Sequence, residues 1–501
     1  MPSSPVVIGV DSSTQSTKAA VIDADSGRLL AVGRSPHTVT GEGGARETDP
    51  EVWWRALREA AASALDASGA PASAVTAIAV AGQQHGLVTL DTAGRPLRPA
   101  LLWNDTRSAP QAAALTRALG GPDPWTARTG SVPVASMTAT KWQWLRENEP
   151  RTADATAAVR LPHDFLTERL AGTAVTDPGD ASGTCWYSTA TGAYDPELLA
   201  LVGLDPALLP AVAATGAERI GSLTRSAAEA LGLPEGIAVA AGTGDNMAAA
   251  VGLGLGGAGL LDHPVVSLGT SGTVFAATRT RPSSPALAGF AATDGGHLPL
   301  ACTLNCTLAV DKVAALLGLD REDAAPGGEA VLLPYLDGER TPDLPHASGL
   351  LTGLRHTTTP RQLLGAAYEG AVFTVLRALD ELPLGDGEGD GGPDGPSAHE
   401  RPLRLIGGGA RGRFWVDTVR RLSGRAVLIP ESEELVALGA AALAAGAASG
   451  RDPVAVATAW GTGRGRGLPA LPRDEAAWRR IEDVLGGVLG GATGRAGRAG
   501  G

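Results

Sequence analysis

An α/β fold made of two related halves is the class this sequence predicts. Three observations lead to it. Strand-length apolar runs alternate with helical stretches along most of the chain, the pattern of mixed sheets covered by helices. A strand, a turn rich in hydroxyls and a second strand at residues 6–22 recur at residues 265–278, about half a chain later. Finally, Gly242-Thr243-Gly244-Asp245-Asn246 joins an apolar strand at 237–241 to an Ala-rich helix starting near Met247. The carboxyl end of a strand is where an open α/β sheet exposes reactive groups, so this turn marks a place for chemistry as well as a fold.

Taken in order, Val6-Val7-Ile8-Gly9-Val10 is a continuous apolar run of the buried-strand type. It breaks at Asp11-Ser12-Ser13-Thr14-Gln15-Ser16-Thr17 and resumes at 18–22; a turn at Asp25-Ser26-Gly27 leads to a third strand at 28–33. A helix is expected over 49–65 and a strand over 75–81, ending at Gly82-Gln83-Gln84-His85-Gly86. A strand and turn follow at 88–94, and Leu101-Leu102-Trp103-Asn104-Asp105 ends another strand in polar groups. In the second half Val265-Val266-Ser267-Leu268 runs into Gly269-Thr270-Ser271-Gly272-Thr273 and a strand at 274–278. A strand at 403–406 enters Gly407-Gly408-Gly409-Ala410-Arg411, ahead of a helix carrying Phe414 and Trp415. The domains are expected at 1–247 and 248–484. The Gly/Asp/Pro-rich stretch 384–400 and the tail 485–501 are expected to lack fixed structure.

Composition narrows the classes of function. At 501 residues the chain can hold two or three domains with an ample core. A net charge of -12 argues against broad nucleic-acid or anionic-membrane binding, since either needs a basic face. The apolar stretch 436–448 is too short to span a bilayer, and the N-terminus lacks the basic and apolar regions of a signal peptide. Three cysteines, Cys185, Cys302 and Cys306, form no even framework, as for free thiols in a reducing compartment. A cytoplasmic protein is expected.

Two hydroxyl- and glycine-rich turns let backbone amides and Ser/Thr oxygens approach phosphate closely. One is an ordinary turn; two, each opening one half of the chain, favour a nucleotide clamped by both. Asp11 beside such a turn would repel phosphate unless a cation mediates, which suggests Mg²⁺, although an Asp here also caps its own turn. Lys18 either reaches phosphate or is solvated. Gln83-Gln84-His85 presents amides and an imidazole together, suited to a neutral polyhydroxylated ligand. Trp103-Asn104-Asp105 offers an indole face for a sugar's C–H surface with polar groups for its hydroxyls. Glycines at 407–409 let a flat base lie against backbone, as an adenine pocket requires, although any strand-to-helix turn favours glycine. Asp245 at a helix start also fits an N-cap.

At these residues the sequence resembles the FGGY family of carbohydrate kinases over about residues 6–446. Two stretches carry the family's signatures: Ser136-Met137-Thr138-Ala139-Thr140-Lys141-Trp142-Gln143-Trp144-Leu145-Arg146-Glu147-Asn148, and Gly349-Leu350-Leu351-Thr352-Gly353-Leu354 through Gln362-Leu363 to Ala366-Ala367-Tyr368-Glu369. Gly82-Gln83-Gln84-His85-Gly86-Leu87, Leu102-Trp103-Asn104-Asp105, Thr176-Asp177-Pro178-Gly179-Asp180-Ala181-Ser182-Gly183-Thr184 and Gly244-Asp245-Asn246 are similar to its xylulose-phosphorylating members. Gln84 departs from the Met common there, and the Ser12 to Ser16 turn is often shorter and richer in glycine. The resemblance implies an actin-like ATPase (ribonuclease H-like) fold, two duplicated domains around a central cleft, with ATP and Mg²⁺ as cofactors. It implies Asp245 as catalytic base and Gln84, His85, Trp103, Asn104, Asp105 and Asn246 around the sugar. It places Ser12, Ser13, Thr14, Lys18, Gly269 and Thr270 with the phosphates, Gly408, Gly409 and Arg413 with the nucleotide, and Asp11 with the metal. The activity implied is phosphorylation of D-xylulose, with a homodimer as the expected assembly. Alternatives are a sister kinase acting on ribulose or another ketose or polyol, an actin-like ATPase with no sugar substrate, and a sugar-binding regulator without activity.

Overall fold

The computed structural model describes residues 4–342, 344, 346–385, 397 and 400–496. They form two compact units, neither continuous in sequence. One combines Met1–Leu261, Ala277–Pro299 and Glu434–Arg464; the other combines Asp262–Ala276, Leu300–Glu433 and Gly465–Gly501. The position 247/248 lies inside the helix Asp245–Gly252, and residues 434–464 return to the first unit. The physical reason is the helix Leu435–Ser449, whose small side chains let it lie directly on the first unit's sheet. A Cβ added at Gly9 would lie only 2.0 Å from the Ala437 carbonyl oxygen.

The first unit's sheet is ordered Arg219–Ser222, Ala238–Ala240, Val75–Gly82, Val6–Ser12, Ser16–Asp23, Leu29–Pro36. Every residue of Val6–Ser12 is buried, because both faces of the sheet are covered and alternate side chains enter different cores. Val6, Ile8 and Val10 join Trp53 and Leu57 of the helix Pro50–Ser68, whereas Val7, Ala20 and Ile22 pack with Ala437 and Ala441. Asp49 starts the Pro50–Ser68 helix by accepting from the Glu51 amide, and Gly69 ends it at φ 66°.

Register decides what the sheet's edge presents. Val6–Ser12 runs parallel to Val75–Gly82 with Ser12 opposite Gly82, and Thr243–Gly244 runs parallel to the same strand with Gly244 opposite Gly82. Three parallel segments therefore end level at Ser12, Gly82 and Gly244, with Gln83 and Asp245 just beyond that edge and Asp11 one residue inside it.

The second unit repeats this arrangement. Gly465–Leu468 pairs antiparallel with Val427–Pro430, which runs parallel to Leu403–Ile406 and that in turn to Val265–Leu268. Antiparallel Gly272–Phe275 and His297–Thr303 complete the series. The five pairings match those of the first unit in order and sense, so the duplication expected from two hairpins extends to whole sheets. Most of the 384–400 stretch lies outside the described residues. The tail expected to be unstructured from 485 is instead helical as far as the helix Glu475–Ala496 extends. Ala477, Ile481 and Leu485 recur every fourth position on its buried face, enough to anchor the helix as it runs on through Gly486 and Gly487. No helix among the described residues is long and apolar enough to cross a membrane.

Candidate active site

Asp245 occupies the first turn of the helix Asp245–Gly252, directly after the Thr243–Gly244 strand. Its Oδ1 accepts from the Asn246 backbone amide at 2.8 Å and from Asn246 Nδ2 at 3.1 Å. The Asn246 Nδ2 also donates to Gln84 Oε1 at 2.8 Å, so the residue after Asp245 is tied to the end of the neighbouring strand. Burial, then the negative charges of Asp11 and Asp180, raise the Asp245 carboxyl to about 7. A carboxylate held there can take or release a proton near neutrality.

The first hydroxyl turn is built around Asp11. Its Oδ1 accepts from Ser13 Oγ at 2.5 Å, and burial pushes its carboxyl above the ordinary value despite Lys18 nearby. Ser12 is buried, its hydroxyl 3.1 Å from that of Thr17, which in turn sits 3.3 Å from His37 Nε2. Thus Ser12 braces the turn, while Ser13 and Thr14 remain partly accessible. The Lys18 ammonium lies 2.6 Å from Glu434 Oε2, tying the hairpin to the start of the helix Leu435–Ser449.

His85 takes a left-handed φ of 65°, uncommon for a residue with a side chain and typical of functional turns. Its Nδ1 meets the Gly183 carbonyl oxygen at 3.0 Å. A carbonyl only accepts, so Nδ1 carries the proton of this bond. The imidazole lies 5.5 Å from the ring of Phe290, and a Cβ at Gly183 would come within 2.3 Å of Nδ1. Trp103 is 43 % exposed; its Nε1 donates to Thr14 Oγ1 at 2.9 Å. Asn104 is half-buried, its Oδ1 without a hydrogen-bond partner. Asp105 is placed differently from a sugar ligand. Its carboxylate accepts from the Arg46 amide, the Arg107 amide and the Arg107 guanidinium, and a sugar would have to displace those bonds.

In the second unit the Gly269–Thr270 turn and the glycine turn at 408–409 lie at the ends of adjacent parallel strands. A Cβ at Gly409 would fall 2.7 Å from Leu268 Cβ, so glycine is what allows the two turns to touch. Gly408 has nothing within 4 Å of its Cβ position. Arg413 is almost fully exposed, its Nε 3.5 Å from Asp417. Among the described residues no group of three or more His, Cys, Asp and Glu is arranged to hold a metal.

Sequence reasoning missed several groups behind the site. Asp177 accepts from Thr243 Oγ1 at 2.7 Å, two residues before Asp245. Lys141, in the first of the two signature stretches, is buried with its ammonium donating to the carbonyls of Ala135 and Ser136; burial lowers it to about 7. The adjoining Thr138 hydroxyl donates to the His85 carbonyl at 3.3 Å, so this stretch supports the His85 turn from behind. His163 and Asp180, both fully buried, form a pair 2.6 Å apart. Asp177 and Asp180 belong to a stretch already conspicuous in the sequence, but nothing local marks His163.

Comparison with known proteins assigns the chain to two consecutive domains. Residues 6–252 match the N-terminal domain, and residues 265–448 the C-terminal domain, of the FGGY family of carbohydrate kinases. The chain is 59% identical over 485 residues to a xylulose kinase of Streptomyces coelicolor, covering 96% of each protein. It is 58% identical over 483 residues to a xylulose kinase of Streptomyces rubiginosus, again covering 96% of each. The crystal structure of xylulose kinase from Bifidobacterium adolescentis, 34% identical, superposes with a TM-score of 0.79 over 96% of this chain and 99% of that one. With both family domains present and identity near three-fifths over almost the whole length, the chain belongs to the FGGY family of carbohydrate kinases.

Proposed function

We propose that this enzyme transfers the γ-phosphoryl group of ATP to the terminal 5-hydroxyl of D-xylulose, giving D-xylulose 5-phosphate and ADP. The observation that carries the mechanism is Asp245, a carboxylate raised to about 7 on the same sheet edge as Gln84. The near relatives that bear the name xylulose kinase support the choice of sugar.

Asp245 accepts the hydroxyl proton as the sugar oxygen attacks phosphorus in line. The Asn246 amide and side chain both donate to Asp245 Oδ1, and Oδ2 is assigned as the proton acceptor. His85 contacts a sugar hydroxyl, Trp103 stacks on the sugar's C–H face, and Gln84, Asn246 and Asn104 supply amide contacts. Asp105 acts from behind by fixing the Trp103–Asn104 turn through Arg107. Ser13, Thr14 and the amides of the first turn receive phosphate oxygens, with Ser12 and Lys18 bracing that turn. Gly269 and Thr270 belong to the second phosphate turn, and Gly408, Gly409 and Arg413 to the nucleotide pocket.

Asp11 fits a Mg²⁺ ion: it is a buried carboxylate above its ordinary range that also raises Asp245, a place where a hard cation is favoured. One carboxylate with phosphate oxygens and water makes an ordinary Mg²⁺ shell, and the ion would neutralise charge on the phosphoryl oxygens. The reaction is assigned to the cytoplasm, with the sugar and ATP as partners and no membrane or nucleic acid involved; the assembly is proposed to be a homodimer.

ADP release with Mg-ATP is the test, across D-xylulose, D-ribulose, L-ribulose, xylitol, glycerol and no sugar. Strong turnover on D-xylulose with a low background is expected. Preference for D-ribulose or a polyol would move the substrate within the family. Equal release with and without every sugar would overturn the sugar-kinase reading.

A further inference from the structure

The mechanism above makes no use of His163, yet this residue is fully buried directly beneath the site. A Cβ at Gly82 would lie 2.9 Å from His163 Cβ, and one at Gly242 would lie 3.2 Å from His163 Cδ2. The imidazole therefore sits under the ends of the two strands that deliver Gln84 and Asp245. Its Nδ1 is 2.6 Å from Asp180 Oδ2 and its Nε2 is 3.3 Å from Asp164 Oδ1. Burial alone would strip the ring of its extra proton; Asp164, Asp180 and Asp177 outweigh that and raise it to about 9. A buried ion pair is weak as a device for stability, which leaves its purpose to be sought in what it touches.

Asp180 leads back to the base. Its Oδ1 flanks Gly244 together with Gln84: a Cβ at Gly244 would lie 3.1 Å from Asp180 Oδ1 and 2.7 Å from Gln84 Cγ. Burial raises the Asp180 carboxyl, with His163 and more weakly the Gln84 amide opposing it; the Gln84 contact is looser than a full hydrogen bond, with neither Gln84 Nε2 nor Asp180 Oδ1 otherwise partnered. Gln84 Oε1 then accepts from Asn246 Nδ2, and the same Nδ2 donates to Asp245 Oδ1. Donor directions are fixed from both ends. An ionised Asp180 only accepts, so Gln84 turns its NH₂ toward it and its oxygen toward Asn246, and Asn246 must then offer its NH₂ to the base.

We propose that His163 is a positioning residue for phosphoryl transfer: by fixing Asp180 it sets the amide orientations of Gln84 and Asn246, and through Asn246 that of Asp245. This rests on Asp245 being the base.

A double-mutant cycle between the two ends of the chain tests it. His163→Gln in the full-length enzyme is expected to lower kcat about tenfold, as small misplacements of a reacting group do, with KM for ATP within about twofold. Asn246→Ala cuts the chain beside Asp245, so adding His163→Gln to it should lower kcat by less than about twofold more. The melting temperature lost to His163→Gln should be the same in both backgrounds, a readout that separates positioning from folding. If His163→Gln yields no folded protein, Asp180→Asn takes its place, because the chain passes through it. A full drop in both backgrounds, or unchanged kcat in the single variant, overturns the proposal. Asp245→Asn separates this from failure of the base assignment. Wild-type turnover in that variant removes the base, whereas an inactive Asp245→Asn with independent His163 and Asn246 effects removes only the relay.

Discussion

The indole Nε1 of Trp103 donates to the hydroxyl of Thr14 at 2.9 Å, so the aromatic surface proposed for the sugar is fastened to the turn proposed for the phosphates. Trp103→Phe keeps the ring and removes the donor. A single hydrogen bond contributes about 0.5–1.5 kcal/mol net, so a roughly 2- to 13-fold rise in KM for ATP is expected, with KM for D-xylulose nearly unchanged. Trp103→Ala removes the face as well and should raise the KM for sugar about tenfold or more, as loss of an aromatic platform does. Identical effects of Phe and Ala on both constants would show that the tether does not transmit.

The second prediction concerns acid pH. Burial, then Asp11 and Asp180, raise Asp245 to about 7, and only the ionised form can accept a proton. Activity should therefore be present above neutrality and decline as pH falls through about 7, with kcat/KM for D-xylulose following one proton. Asp245→Asn should lose roughly 10²- to 10⁴-fold in kcat and show no such limb in its residual activity. A wild-type acid limb near the ordinary carboxylate value would mean that another group, or an unshifted Asp245, governs turnover.

Two buried bases pull stability in opposite directions with pH. His163 is raised from 6.5 to about 9, so its contribution is complete below 6.5 and disappears as pH rises through about 9. Lys141 is lowered from 10.5 to about 7; between those values the unfolded chain binds the extra proton, and stability rises with pH. Melting curves from pH 6 to 10 should separate them by difference, using roughly half-unit steps to resolve one-proton slopes. His163→Gln should lose a downward slope relative to wild type, and Lys141→Met should lose an upward one. The same pH slope in wild type and both variants would contradict the two assignments.

Much of the architecture was legible because burial on both sheet faces writes continuous apolar runs such as Val6 to Val10, and because Asp11, Gln84 and Asp245 all lie within two residues of a strand end. The return of residues 434–464 to the first unit was not legible. An Ala-rich helix fits against any backbone that glycine leaves open, and Gly9, its partner, lies far away in sequence. Asp105 reads as a ligand until Arg46 and Arg107 are seen around it. His163 carries no local signal, since its meaning comes from Gly82, Gly242 and Asp180, brought together only by the parallel register.

The same substitution should have opposite signs at two helical glycines. Gly439 lies in the helix Leu435–Ser449, and a Cβ there would sit 1.8 Å from the carbonyl oxygen of Ala248, in the helix that begins with Asp245. Alanine favours a helix interior over glycine by about 1 kcal/mol. That gain cannot prevail here, because the obstacle is backbone rather than a movable side chain, and overpacking costs about 1–3 kcal/mol. Gly439→Ala should therefore lower the melting temperature, by roughly 2–4 °C per kcal/mol for a unit of this size. It should also lower kcat, because relief of the clash shifts the helix carrying Asp245. Gly486 lies exposed in the helix Glu475–Ala496 with nothing within 4 Å of its Cβ position. There Gly486→Ala should stabilise by about 0.4–1 kcal/mol and leave kcat alone. Equal melting shifts of the same sign would mean that propensity, not the Gly439–Ala248 contact, sets the response.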